Sequence, residues 1–117
     1  MVPTKYHNPP PVWEVIVSQE VDEWYQTLTP TGKADTDKAI EALTLMGNNA
    51  RMPLSKPLGD QLFELRFTCE RTARRITYTF DPEKKIITLT TFRHQKRTEQ
   101  REIARARKVL KARRKTK

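Results

Sequence analysis

The chain has 117 residues, of which 36% are hydrophobic and 32% charged, and its formal net charge is +9. A length of this order is typical of one domain. Its single cysteine, Cys69, excludes an internal disulfide and a zinc site built from cysteines, so we expect a reducing, cytoplasmic compartment. The sequence lacks any apolar run of the roughly 18 residues that a membrane span needs, so we expect no membrane contact.

The positive charge is concentrated in the C-terminal part. Residues 93–117 contain 12 Lys or Arg and 2 Glu, whereas residues 1–92 contain 11 Lys or Arg and 12 Asp or Glu. Such asymmetry indicates a polyanionic partner, above all nucleic acid, with a solubilising tail as the alternative. The sequence predicts three parts in chain order: a Pro-rich N-terminal arm over 1–11, a single domain over 12–113 and a basic end over 114–117.

The first half of the domain predicts one strand followed by two helices. Residues 12–17 are apolar and β-branched, which favours a strand. Ser18 is a good N-cap for a first helix that is expected to end near Pro30. The apolar residues of this helix fall on one face: Val21, Trp24, Tyr25 and Leu28. A second helix is predicted to begin at residue 31 or 32 and to end at Gly47.

The second half predicts strands and a last helix. Residues 51–60 contain two prolines and a glycine and predict a loop leading into a sheet. Three consecutive strands are predicted after it, over residues 62–68, 74–80 and 86–93, and a final helix over 98–113. The order is β-α-α-β-β-β-α, which indicates an α+β fold with a mainly antiparallel sheet packed against helices.

Five segments are the most informative about function, and the three that fall on predicted strands place cations or a histidine beside apolar residues. They are residues 56–59 (KPLG), 62–66 (LFELR), 75–78 (RITY), 89–96 (LTTFRHQK) and 102–106 (EIARA). In this order and spacing, the chain resembles the RelE/HigB toxin superfamily, and in particular its phage-derived HigB-like branch.

The resemblance covers residues 12–112 and implies a small RelE-like toxin fold. It implies the toxin of a type II toxin-antitoxin system, a ribosome-dependent mRNA endonuclease that inhibits translation. The partners it implies are mRNA, the ribosome with its 16S rRNA, and a cognate helix-turn-helix antitoxin, with operator DNA bound only through the antitoxin complex. It implies no metal and no cofactor.

RNA cleavage without a metal needs a base for the 2′-OH, an acid for the leaving oxygen and cations for the crowded phosphate. Arg75 matches the strand arginine of the family and is predicted to bind that phosphate, with a salt bridge on an exposed strand face as the alternative. Arg66 is predicted either to contact the same phosphate or to pair with Glu64. His94 is predicted to be a general acid or base. Glu64 is an alternative base or a carboxylate that orients an arginine.

Other cations are expected to bind RNA around these groups: Lys56, Arg74, Arg93, Lys96 and Arg97. The aromatic side chains of Tyr78, Trp13 and Trp24 are expected in the core. Two other functions stay open, a non-catalytic basic module that binds RNA or ribosomes, and a ParE-like toxin that acts on gyrase. The arginine-rich strands and His94 argue against the second of these.

Overall fold

The computed structural model describes residues 13–115, so the whole predicted N-terminal arm over 1–11, residue 12 and residues 116–117 lie outside the described part. The helices are α1 (Gln19–Gln26), α2 (Pro30–Met46) and α3 (Glu99–Lys115). The strands are β1 (Glu14–Ile16), β2 (Ser55–Gly59), β3 (Leu62–Cys69), β4 (Thr72–Asp81) and β5 (Lys85–Arg93). Within residues 13–115, no helix is long and apolar enough to cross a membrane.

Side-chain caps and one glycine set the bounds of the first two helices. Ser18 Oγ accepts from the backbone N–H of Val21 at the start of α1, as its N-cap position predicts. Thr29 caps α2, which begins at Pro30, slightly earlier than predicted, because a proline in the first turn loses no helical hydrogen bond. Gly47 follows α2 with φ 54° and lies against the Trp13 indole, where a Cβ has no room.

All five strands form one sheet in the order β1-β5-β4-β3-β2. Strand β1 is parallel to β5, and the other neighbours are antiparallel. The predicted α+β class with a mainly antiparallel sheet is therefore confirmed. The predicted loop over 51–60 is wrong in part, because it contains β2. This strand lies at the edge of the sheet and pairs only with β3, which is where a strand tolerates a proline such as Pro57.

The helices cover the two faces of the sheet unequally. Helices α1 and α2 lie on one face and build the larger core, which includes Val21, Leu43, Leu65, Ile76 and Tyr78. The predicted core positions of Tyr78, Trp13 and Trp24 are confirmed, since Tyr78 is 1% exposed and both indoles pack against this cluster. Helix α3 lies on the other face and buries a smaller cluster: Leu62, Ile87, Leu89, Ala106 and Leu110. Farther along β3 and β4 on that face, charged side chains replace the apolar ones.

Candidate active site

Strand pairing brings the predicted cations of three strands to one face. Arg66 on β3 and Arg75 on β4 are directly opposite each other, so their side chains point to the same side of the sheet. Lys56 on the edge strand β2 lies opposite Glu64, which precedes Arg66 by two residues on β3. These four residues therefore share the face that α3 covers only in part.

Glu64 lies between the two arginines. Its side chain is 1% exposed, and its Oε1 is 3.6 Å from Arg75 Nε and 3.7 Å from Arg66 Nε. These distances make two ion pairs rather than two hydrogen bonds. The pKa of Glu64 is raised, mainly by burial and further by the negative charge of Glu99, although Arg75, Arg66 and Lys56 act in the opposite direction. The carboxylate thus holds both arginines in place, although it lies in an environment that disfavours its own charge.

The two arginines differ in access. Arg75 is only 6% exposed, and its Nη1 donates to the backbone carbonyl of Arg74 at 3.1 Å. Burial lowers the pKa of its guanidinium, yet an arginine stays protonated at physiological pH. Arg66 is 25% exposed, and its Nη1 lies 3.1 Å from the sulfur of Met52. The salt-bridge alternative for Arg75 therefore needs correction in one respect, because its pair with Glu64 is buried rather than on an exposed face.

His94 follows β5 and faces the first turn of α3. Its backbone N–H donates to the carbonyl of Ala73 at 2.8 Å, which extends the β4–β5 pairing by one residue. Its Nδ1 is 3.4 Å from Glu99 Oε1, and both side chains are partly exposed. Glu99 also acts electrostatically on Glu64 and Arg75. The first turn of α3 therefore links the imidazole to the arginine cluster.

Three buried polar atoms in the described part of the chain make no hydrogen bond: Glu64 Oε2, Arg75 Nε and His94 Nδ1. All three belong to the cluster formed by Glu64, Arg66, Arg75, His94 and Glu99. Buried polar groups are normally paired, and groups left unpaired tend to concentrate at functional sites. This cluster is therefore the candidate active site. Within residues 13–115, no three His, Cys, Asp or Glu side chains form a group that could hold a metal ion.

The structure separates the remaining predicted residues from this cluster. Arg74 and Arg93 lie on the opposite face of the sheet, where the Arg74 guanidinium is 4.4 Å from the centre of the Trp24 ring. Lys96 and Arg97 are exposed in the connection between β5 and α3. RNA binding by these four cations stays a prediction.

Sequence reasoning missed Glu99 as a site residue. In the sequence, Glu99 is marked only by its position five residues after His94, at the start of a predicted helix. This position indicates a contact with His94 only when the packing of α3 is known.

Glu64→Gln is expected to make the folded protein more stable at neutral pH. Because the folded-state pKa of Glu64 is raised, the folded state holds this proton more tightly than the unfolded chain does. The stability that protonated Glu64 contributes is therefore fully present below the pKa of the unfolded chain. It is lost as pH rises through the pKa of the folded state. Thermal unfolding should be measured from about pH 4 to about pH 8. The Tm of the Glu64→Gln protein should exceed that of the wild type, and this difference should grow as the pH rises.

Glu70→Gln is the matched control, with the opposite sign. Glu70 Oε2 accepts hydrogen bonds from Thr29 N and Oγ1 at 2.8 and 2.7 Å, and these bonds lower the pKa of Glu70. The stability that Glu70 contributes is present above its unfolded pKa and is lost as pH falls, so this variant should lose Tm at neutral pH only. A Glu64→Gln protein that is less stable than the wild type at pH 7 would mean that the two ion pairs outweigh the cost of burial.

Comparisons with known proteins agree with this architecture. The family model described as phage derived protein Gp49-like (DUF891) matches residues 23–111. No curated protein matches the chain at a significant level. One similar solved structure is the toxin-antitoxin complex RelBE2 from Mycobacterium tuberculosis. Its TM-score is 0.52 at 19% identity, and the match covers 71% of this chain and 99% of that chain.

A second similar structure is a mutant of the Escherichia coli toxin RelE in the free state. Its TM-score is 0.56 at 10% identity, and the match covers 86% of this chain and 97% of that chain. At such identities the likeness establishes the fold, and the family match extends over most of the chain. The protein therefore belongs to the Gp49-like family of phage-derived proteins and has the fold of the RelE toxins.

Proposed function

We propose that this protein is the toxin of a type II toxin-antitoxin system and that it cleaves mRNA on the ribosome without a metal. The observation that carries this proposal is the pair Arg66 and Arg75, held by buried Glu64 beside the His94–Glu99 pair. The RelE-like fold supports the proposal, since RelE itself and one chain of the RelBE2 complex are toxins. The cluster contains arginines and a histidine, which are residue types suited to binding a phosphate and to transferring protons in RNA cleavage.

In the proposed reaction, the 2′ oxygen of one ribose bonds to the adjacent phosphorus while the bond from phosphorus to the 5′ oxygen breaks. The 2′ proton passes to a base, and the leaving 5′ oxygen takes a proton from an acid. The products are a 2′,3′-cyclic phosphate and a 5′-OH end. His94 is suited to one of these transfers, because Glu99 faces its Nδ1 and leaves Nε2 for the substrate.

The two arginines would bind and stabilise the reacting phosphate. Arg66, the more exposed one, is suited to bind it in the ground state, because a guanidinium matches phosphate oxygens in bidentate fashion. Arg75 lies opposite it on the neighbouring strand in a buried environment, where a fixed cation most strongly stabilises the charge that develops in the transition state. Glu64 fixes the spacing between the two.

Cations around the cluster would bind the rest of the RNA and the ribosome. Lys56 lies on the same face, and Lys96 and Arg97 are exposed just before α3. Each neutralised phosphate should contribute a slope of about −0.7 to −0.9 to the logarithm of affinity against the logarithm of salt concentration. We place the protein in the cytoplasm with a small DNA-binding antitoxin as its partner, and operator DNA is bound only through the antitoxin.

Induced expression in a bacterial host tests the proposal. Growth should arrest, and translated mRNA should carry new 2′,3′-cyclic phosphate and 5′-OH ends, whereas mRNA with a blocked ribosome-binding site should stay intact. DNA supercoiling is measured in parallel and should not change, in contrast to the effect of a gyrase-directed toxin. Normal growth with intact mRNA and well-folded protein would overturn the proposal, and salt-sensitive RNA binding without any product would indicate a non-catalytic module.

A further inference from the structure

A second cationic site lies on the opposite face of the sheet, behind the candidate active site. Arg74 and Arg93 are directly opposite each other on β4 and β5. They line a cavity of about 150 Å³ together with Trp24, Leu28 and Thr72. We call this cavity the Arg74–Arg93 pocket.

Within residues 13–115, the lining of this pocket contains two arginines and one carboxylate, Glu70, so its net charge is positive, and Glu20 and Glu102 act on Arg74 at longer range. Arg74 stacks on Trp24 and donates from Nε to Thr91 Oγ1 at 3.0 Å, but neither Arg74 nor Arg93 forms an ion pair. The Glu70 carboxylate accepts from the backbone N–H and hydroxyl of Thr29, which are neutral donors, so it stays charged and offsets one of the two cations. Two neighbouring guanidinium groups repel each other, so an anion bound between them would be stabilised.

The lining favours a nucleotide over a simple anion. The two arginines offer planar donors that match phosphate oxygens, and the half-buried Trp24 and Leu28 offer an apolar wall for a base or sugar. Proteins bind single-stranded nucleic acid through this combination of cations along the backbone and aromatic or apolar surface against the bases.

The position of the pocket connects it to the active site. Arg74 precedes Arg75 on β4, and Arg93, the last residue of β5, precedes His94, so consecutive residues place the side chains of the two sites on opposite faces of the same sheet end. Only one layer of sheet separates the two sites, and a flexible RNA strand can pass around the strand ends between them.

We propose that the Arg74–Arg93 pocket binds a nucleotide of the same RNA strand, flanking the phosphate that is cut. This assignment rests on the proposed function for its substrate, while the binding itself is measured without cleavage. An acidic protein segment is the competing ligand, and the test separates it from RNA.

The test compares Arg93→Gln with Lys38→Gln in the full chain. Both remove one exposed cation without an ion pair, and Lys38 lies on α2, away from either site. The probe is a fluorescent single-stranded RNA of about ten nucleotides with 2′-O-methyl sugars, which have no free 2′-OH and cannot be cut, and its binding is followed by anisotropy over a salt series. We expect Arg93→Gln to bind about tenfold more weakly at low salt. Its salt slope should be smaller by about 0.7, and Lys38→Gln should retain the wild-type slope.

A local signal comes from Trp24. In a Trp13→Phe background, Trp24 is the single tryptophan, because the chain has two. Adding RNA should change the emission of Trp24, whereas poly-glutamate of equal charge should leave that emission unchanged. The Arg93→Gln substitution should weaken the change that RNA causes.

The proposal that the pocket binds RNA would be overturned by equal salt slopes for the Arg93→Gln and Lys38→Gln proteins. It would also be overturned if RNA left the emission of Trp24 unchanged. A response to poly-glutamate as strong as that to RNA would also overturn the pocket as an RNA site. A wild type that binds RNA as expected but never cuts mRNA on ribosomes refutes the proposed function and leaves the pocket supported.

Discussion

Replacing Arg75 by alanine is expected to abolish growth arrest and to slow mRNA cleavage on ribosomes by about 10³-fold. The guanidinium is held in a buried position by Glu64 and by the carbonyl of Arg74, so water would not replace it as a preorganised cation. Arg75→Lys keeps the charge but loses the planar fork, and an intermediate loss is expected. The measurement is single-turnover cleavage of mRNA on purified ribosomes.

Lys38→Ala is the matched control for this prediction, because it removes an exposed cation from α2 and should leave cleavage unchanged. Thermal unfolding of each variant separates lost chemistry from lost folding. Glu64 keeps its ion pair with Arg66 when Arg75 is removed, so the variant is expected to fold with a lower Tm. A folded Arg75→Ala protein that cuts mRNA at the wild-type rate would remove Arg75 from the mechanism.

The fold was predictable from the sequence wherever periodicity was clear. The alternating residues of β3 and β4 and the apolar stripe of α1 correspond to observed elements. Strand β2 was missed because Pro57 and Gly59 interrupt the pattern, and a proline normally argues against a strand. An edge strand forms backbone hydrogen bonds on one side only, so a proline can be accommodated in it. The segment is therefore a strand because of its position in the sheet, despite its proline.

The site was predictable in part, for a similar reason. Alternation along two consecutive strands placed Arg66 and Arg75 on one face without knowledge of the tertiary structure. The burial of Glu64 between them depends on how α3 and the neighbouring strands pack, and so does the contact of Glu99 with His94. Sequence alone gave Arg74 the same predicted role as Arg93, whereas the stacking of Arg74 on Trp24 depends on where α1 lies.

The charged side chains Glu64 and Arg75 lie in surroundings that disfavour their charge, as expected of the proposed active site. Burial shifts the pKa of Glu64 upward and that of Arg75 downward, so each is driven toward its neutral form. Two of the unpaired buried atoms belong to these same side chains. A carboxylate and a guanidinium retained in such surroundings are better explained by a phosphate that binds beside them than by their contribution to folding.

Replacing His94 by alanine is expected to slow cleavage by about 10²- to 10⁴-fold, the range typical of a lost general acid or base. Ribosome binding should change little, because the imidazole is one partly exposed side chain among many cations. Glu99→Gln keeps a side-chain oxygen that can face Nδ1 but loses the carboxylate charge of the ion pair, so the loss of cleavage should be smaller, on the order of tenfold.

Added imidazole distinguishes proton transfer from a structural role of His94. Free imidazole should restore part of the cleavage by the His94→Ala protein in single-turnover assays, because it can accept or donate the proton from the vacated position. It should not restore cleavage by the Arg75→Ala protein, which lacks a cation rather than a proton-transfer group. If imidazole rescues neither variant and His94→Ala retains the wild-type rate, the proton must be moved by another group, and Glu64 between its two arginines becomes the next residue to test.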